Sequence, residues 1–414
     1  MNRSPYRIPV TTTFRPIPPL AEARVAVVHE WLYTYAGAEK VLEQILALFP
    51  QADLFSLIDL LPENKRQFLG GRQVKTSFLN RFPVLRRKHQ FLLPLMPIAM
   101  ERFDLSSYDV IITSSYAVAK GVLTGPNQLH LCYCHSPVRY AWDLQFQYLH
   151  QWRLDRGPRA LAATLILHKL RIWDHVTANG VDRFIANSRF ISRRIMKTYR
   201  RKSEVVYPPV DTRNFTPGEG PRGDEYVTLS RLVGYKRIDI LVEAFRHLPD
   251  RKLVVMGKGE ELERLRSMAP PNVRIEGEVS NERLLQTLRS ARAFLFAAEE
   301  DFGIAPVEAQ ACGIPVIAYG RGGALETVRG AWTGEVAPRV CTGVFFSHQD
   351  VRSVVEAVQF FESQEGMISS SDCVENASRF APPIFRRDFM SVVDNSWQTF
   401  KKHERDPNLP SLED

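Results

Sequence analysis

The sequence predicts an α/β protein of two Rossmann-like, doubly wound lobes, each a parallel sheet wrapped by helices on both faces. Three observations carry this. Short apolar runs alternate with amphipathic stretches of helical period from Arg24 onward. One proline- and glycine-rich break interrupts that rhythm, which then restarts. The 414 residues are too many for one compact core and suit two.

Residues 1–23 contain several prolines and no apolar block of the secretory type, and are expected to form a disordered leader. Arg24–His29 reads as a buried strand through Val25, Ala26, Val27 and Val28, and Ala36-Gly37-Ala38-Glu39 turns the chain into an amphipathic helix ending near Phe49. Further strands are expected at Leu54–Ile58, Val110–Ser114, Leu129–Cys134, Phe184–Ala186 and Val205–Tyr207, which together give an N-terminal lobe over 24–212. The break runs from Pro208-Pro209-Val210-Asp211 through Pro217-Gly218-Glu219-Gly220-Pro221. Beyond it, strands at Tyr226–Ser230, Lys252–Met256, Val273–Glu276, Ala293–Phe296 and Pro315–Tyr319, with a helix around Ile238–Leu248, make a second lobe over 213–383. The tail 384–414 holds a last helical stretch, about Ile384–Lys402, expected to cross back onto the first lobe. A ligand cleft is expected between the lobes.

Lys and Arg number 54 against 46 Asp and Glu, a net charge of +8 that favours anionic partners. The basic residues come without a helix-turn-helix, zinc or aromatic-sheet signature, so nucleic acid is not expected among them. No apolar run reaches the ~18–20 residues of a bilayer crossing, and a cytoplasmic protein is expected. Five scattered cysteines match no zinc spacing and read as packing thiols. Arg86-Arg87-Lys88-His89 ahead of Phe91–Pro97, and the later group Arg193, Arg194, Lys197, Arg200, Arg201 and Lys202, suggest peripheral contact with an anionic membrane surface on the inner face; solvated charge beside a buried loop is the alternative.

The sharpest local signal is Glu300-Asp301-Phe302-Gly303-Ile304-Ala305-Pro306-Val307-Glu308, followed by Gly313-Ile314-Pro315-Val316. Pro306 suits the first turn of a helix, because its missing N–H would lack a partner there anyway. The helix therefore starts close to Gly303, and its free amides offer a site for a phosphate or sugar oxygen that the glycine lets approach. Glu300 and Glu308 can both face the cleft and accept hydrogen bonds from sugar or ribose hydroxyls; two acids placed to suit the helix dipole are the alternative.

This segment resembles family 4 glycosyltransferases, of GT-B architecture, over about Arg24 to Phe389. The resemblance implies that Glu300 contacts the donor sugar and Glu308 the nucleotide ribose, with Phe302, Gly303 and Ile304 beside them. Ser230-Arg231-Leu232-Val233-Gly234-Tyr235-Lys236 looks like the family's strand-end segment, implying that Arg231 and Lys236 hold the donor diphosphate. Met256-Gly257-Lys258-Gly259 resembles a glycine loop near the nucleotide, and Tyr35-Ala36-Gly37-Ala38-Glu39 a Gly-Gly-Ala-Glu turn near the diphosphate, here with Ala36 for the first glycine. His135-Ser136-Pro137-Val138-Arg139-Tyr140-Ala141-Trp142 is similar to a segment of a bacterial subgroup that builds surface polysaccharides and O-antigens, with His135 reaching the donor sugar. Asn187-Ser188, Gly320-Arg321-Gly322-Gly323 and Glu326 match further landmarks.

What the resemblance implies is a retaining hexosyltransferase that uses a nucleotide-diphosphate sugar, GDP-mannose by subgroup, and a saccharide or lipid-linked acceptor. No Asp-x-Asp occurs in the chain, so no bound metal or other cofactor is expected, with Arg231, Lys236 and the helix start supplying positive charge. A nucleotide-sugar epimerase and a noncatalytic nucleotide-sugar-binding subunit are the alternatives.

Overall fold

Strands buried on both faces need no polar alternation, and the apolar runs are of that kind. In the computed structural model, which describes residues 18–82, 92–336, 338–364, 366 and 368–405, they form two seven-stranded sheets in which every pairing is parallel. The basic cluster Arg86–His89 with Phe91, and residues 1–17 of the leader, lie outside the described residues.

The first sheet comprises β1 (Val25–Leu32), β2 (Asp53–Asp59), β3 (Val74–Thr76), β4 (Val110–Ser115), β5 (Leu129–Cys134), β6 (Arg183–Ala186) and β7 (Ser203–Val205), in the order β3-β2-β1-β4-β5-β6-β7. Its helices are α1 (Gly37–Leu48), α2 (Met96–Glu101), α3 (Gln145–Gln151), α4 (Gly157–Thr177) and α5 (Arg189–Tyr199). The second sheet comprises β8 (Glu225–Leu229), β9 (Lys252–Met256), β10 (Val273–Gly277), β11 (Ala293–Phe296), β12 (Val316–Tyr319), β13 (Gly330–Trp332) and β14 (Gly343–Phe346), in the order β10-β9-β8-β11-β12-β14-β13. Around it lie α6 (Ile238–Arg246), α7 (Leu262–Met268), α8 (Asn281–Ser290), α9 (Ile304–Ala311), α10 (Ala324–Thr327), α11 (Val351–Ser363) and α12 (Ser370–Ser378), and the described chain ends in α13 (Pro382–Arg405).

Strand order reverses between β1 and β4, and again between β8 and β11. Such switch points open a crevice at the carboxyl ends of the strands. His29 and Glu30 near the end of β1, Ser114 on β4 and His135 after β5 occupy that edge of the first sheet, and Arg231, Gly257 and Glu300, after β8, β9 and β11, that of the second.

Alternate residues of β1 feed two cores. Val25 and Val27 pack with Val41, Leu42, Ile45 and Leu46 of α1, while Ala26 and Val28 pack with Met96, Ala99 and Met100 of α2 and Leu167 and Leu170 of α4. Phe385, Phe389, Val393 and Trp397 of α13 enter the core that α1 shares, so the last helix seats on the first sheet. Each such side chain, fully buried, contributes about 1.5–3 kcal/mol relative to exposure.

Several boundaries differ from the sequence reading. Residues 20–22 form a 3-10 turn and Ala23 is buried, so the end of the leader packs on the first lobe because Leu20 and Ala23 have an apolar core to join. β7 stops at Val205 rather than Tyr207, ahead of two prolines that cannot donate to a ladder. β3, β13 and β14 are additional strands of three or four residues. All five cysteines are buried and free. Among the described residues, no helix is long and apolar enough to cross a membrane.

Candidate functional site

The donor-side wall grows from the β11–α9 connection. Gly303 takes φ +86°, a left-handed backbone that strains any residue with a Cβ, and α9 begins at the next residue with Pro306 in its first turn. The amides of that turn have no intrahelical acceptor and face the cleft end of the helix. The Phe302 side chain turns away from the cleft: it is buried against Tyr207 and Phe380, with ring centroids 5.8 and 5.3 Å distant. Sequence reasoning grouped Phe302 with the donor contacts; its ring instead anchors the loop that carries Glu300 and Gly303.

The cationic wall comes from the β8–α6 connection. Lys236 is in direct contact with the Glu300 carboxylate, and Arg231 donates to the Tyr235 hydroxyl at 2.5 Å. Burial first, then the neighbouring Arg231 and Arg139 cations, pulls the Lys236 ammonium down to about 7, with Asp301 opposing the shift. Gly257 is needed by the protein itself: a Cβ there would run into the Ser230 carbonyl, so the β9 glycine loop lies flush on the segment that presents Arg231. The Ser230 and Leu232 amides donate to Met256 and Lys258 carbonyls at 3.1 and 2.9 Å and fix that contact.

From the first lobe, the N-terminus of α1 points at the N-terminus of α9. A methyl group on Gly37 would stand 3.0 Å from the Ile304 Cδ1 atom, and Lys40 Nζ donates to Glu308 Oε1 at 2.7 Å. Ala36 is extended at φ −138°, a conformation any residue adopts, so alanine in the place of glycine costs the turn nothing. Its N–H donates to Glu39 Oε2 at 2.9 Å, which caps the helix.

His135 closes the cleft floor. Its Nε2 is 2.9 Å from Ser114 Oγ, which lies 3.1 Å from His29 Nδ1, and the His29 Nε2 is 3.5 Å from Glu39. A buried chain Glu39–His29–Ser114–His135 thus runs from the α1 cap to the cleft. Burial, with His29 adding to it, takes the His135 ring down to about 3, so it is neutral at physiological pH. Asn187 donates to the His135 carbonyl at 2.9 Å, a supporting contact rather than a cleft one. Glu30 accepts from the amides of Tyr116, Ala117, Val118 and Ala119 at 2.7–3.1 Å, which clamps the loop after β4 around Ser114.

Two further ties join the lobes. Asp301 contacts Arg139 and accepts from Arg194 at 3.3 Å; burial is the largest single influence and opposes the Arg139 charge, but the attraction and hydrogen bond of Asp301, with Tyr148 and Tyr235, together outweigh it and leave Arg139 above its ordinary value. Glu326 of α10 accepts from the first amides of α5, Arg189 and Phe190, at 2.7 and 2.8 Å and from Tyr207 at 3.0 Å. Glu326 is therefore a cap across the lobe boundary and is fully engaged by the protein.

The structure thus brings Gly37, His135, Arg231, Lys236, Glu300, Gly303, Ile304 and Glu308 to one cleft edge, with Phe302 and Gly257 behind it as packing. Lys40, Asp301 and Tyr235 were not singled out from the sequence; Lys40 lies one residue beyond the Ala-Gly-Ala-Glu turn, and only its partner 268 residues away gives it meaning.

Residues 37–214 match the family model described as Glycosyltransferase Family 4, and residues 214–380 that described as Glycosyl transferases group 1. Two glycosyltransferase models thus run in tandem over residues 37–380, and the chain has the GT-B fold. Similar curated proteins include a D-inositol 3-phosphate glycosyltransferase of Mycobacteroides abscessus, 30% identical over 40% of this chain and 43% of that one. A GDP-mannose-dependent alpha-(1-6)-phosphatidylinositol monomannoside mannosyltransferase of Mycolicibacterium smegmatis is 32% identical over 38% of this chain and 49% of that one. These matches span less than half the length of each relative. Among solved structures, Anabaena HepE in complex with UDP superposes with a TM-score of 0.64 at 17% identity, covering 90% of this chain and 100% of that one.

Proposed function

We propose that this glycosyltransferase is a retaining, metal-independent hexosyltransferase that moves a sugar, mannose from GDP-mannose as first candidate, to a hydroxyl of a saccharide or lipid-linked acceptor in cell-surface polysaccharide synthesis. The observation that carries this reading is the meeting, at one cleft edge, of two facing helix starts (Gly37 and Gly303–Ile304) with Arg231, Lys236 and the carboxylates Glu300 and Glu308. The GDP-mannose dependence in the name of the M. smegmatis relative favours mannose.

In this reading, the diphosphate lies against Arg231, Lys236 and the first amides of α9. Breaking the sugar–phosphate bond concentrates negative charge there, and oriented donors in a closed site stabilise it without reorganising. Glu308 exchanges its bond with Lys40 for one with a ribose hydroxyl. Glu300 accepts from a sugar hydroxyl and, beside Lys236, stabilises an oxocarbenium-like sugar. The acceptor attacks from the face the phosphate leaves, and its proton passes to a departing phosphate oxygen. His135, neutral and held by Ser114 and Asn187, offers a fixed ring edge and carbonyl to the sugar.

The test is a thermal-shift screen of nucleotide sugars, in which a ligand of the folded state raises the melting temperature, followed by product analysis of the best donor with and without a chelator. Anomerically retained product formed equally in the chelator supports the proposal. Inverted product, turnover restored solely by added divalent cation, donor conversion without acceptor, or donor bound and never consumed with any acceptor would each overturn it.

A further inference from the structure

α4 is apolar on two opposite faces. Leu167 and Leu170 point inward to the core, whereas Leu161, Leu165, Ile172 and Val176 are 64, 53, 54 and 58% exposed. On a helix of 3.6 residues per turn these four fall within an arc of about 60°, forming one stripe ~22 Å long. A helix apolar all round is ordinarily covered on both sides, and nothing in the described structure covers this one.

The charge around the stripe is of one sign. Lys169 stands about 20° beyond one edge of it, and the imidazoles of His168 and His175 line the other edge, all exposed. The sole acid of α4, Asp174, is buried against Lys120 at 2.7 Å. α5 lies alongside, joined by His175 Nδ1 at 3.1 Å from the Thr198 carbonyl; it contains no acid and adds exposed Met196, Arg193, Lys197 and Arg200. Two members of the second basic cluster read from the sequence are used elsewhere, Arg194 against Asp301 and Asp143 and Arg201 on the Ala178 and Val181 carbonyls.

From this pattern we infer that α4, with the adjoining face of α5, is a docking surface for an anionic phospholipid bilayer. Such a surface accepts both features together, because hydrocarbon beneath the headgroups takes the aliphatic stripe while lipid phosphates meet the flanking cations. A second copy of the chain fits less well: α4 against α4 through the stripe would set Lys169 beside its own copy with no exposed carboxylate on either helix to pair it. The inference goes beyond sugar transfer and does not depend on it.

The test is co-sedimentation of the full chain with vesicles of phosphatidylcholine, with and without phosphatidylglycerol. Binding should require phosphatidylglycerol and fall on the order of tenfold in L165E/I172E. It should fall similarly in K169E/K197E, with melting temperature and nucleotide-sugar thermal shift unchanged in both. Equal binding to neutral vesicles, equal binding by the variants, or a wild-type dimer that L165E/I172E splits would overturn the inference. Because vesicle binding needs no turnover, its failure and a failure of the transferase reading are separately visible.

Discussion

The Lys40 ammonium, on the first lobe, donates to the Glu308 carboxylate, on the second, at 2.7 Å, with the two side chains 25% and 9% exposed. In the absence of ligand, the carboxylate assigned to the ribose is thus already satisfied by the opposite wall. Removing the lysine leaves a nearly buried carboxylate without a partner, worth about 1–2 kcal/mol at this exposure. Lys40→Met should lower the melting temperature by a few degrees and show a larger nucleotide-induced shift than the wild type. Unchanged melting together with an unchanged nucleotide shift would remove the exchange of partners from the mechanism.

Arg231, Lys236 and Glu300 stand where the proposed transfer would develop charge. Arg231→Ala, Lys236→Ala and Glu300→Gln should each reduce kcat by roughly 100-fold or more while circular dichroism stays unchanged. Full activity of purified Arg231→Ala would strip that residue of its role.

Under the proposed function, Lys236 should make donor binding pH-dependent. In the free protein its ammonium, held down to about 7, is increasingly neutral above that pH, and a bound diphosphate favours the charged form. Binding should therefore take up a proton above pH 7, and affinity should decline as pH rises through this region. Calorimetry in buffers of different ionisation enthalpy would read the uptake. Lys236→Arg, which keeps its charge at all these pH values, should abolish it; uptake that persists in the arginine variant would place the titrating group elsewhere.

Two buried histidines tie stability to acid. His130, bonded to Thr113 and the Gly180 carbonyl, is lowered by burial to about 4, and His135 to about 3, from an ordinary value of 6.5. The unfolded chain takes a proton on each near 6.5 while the folded chain keeps both neutral, so their contribution is full above 6.5 and is lost as pH falls toward 4. Each ring should cost about 1.4 kcal/mol per pH unit in that window. Denaturant midpoints measured from pH 7 to 5 should fall, and His130→Gln should flatten the slope by about half; an unaltered slope would assign it to other groups.

What could be read from the chain alone follows the range of the interactions. Pro306 and Gly303 act within one turn, so a start of α9 close to Gly303 was legible. The buried runs of β1, β4, β5 and β8 announced parallel sheets because burial on both faces leaves no polar alternation. β13 and β14 were hidden by their shortness, three and four residues containing glycine, and take their place only through the pairing of β14 with β12 and of β13 with β14. The Phe302 ring could not be told from a cleft residue until Phe380 arrived beside it. The link between Lys40 and Glu308 has no local signature at all. The exposure of Leu161, Leu165, Ile172 and Val176 was likewise invisible, since an apolar residue on an amphipathic helix reads as core from either side.

The seat of α13 bears on the order of assembly during synthesis. Phe385, Phe389 and Trp397 complete the apolar interior beneath β1 and α1, yet the ribosome delivers them only after the whole second lobe has emerged. The first lobe must wait with greasy surface uncovered, and a nascent chain arrested before Pro382 would be the species most prone to capture by chaperones or proteases.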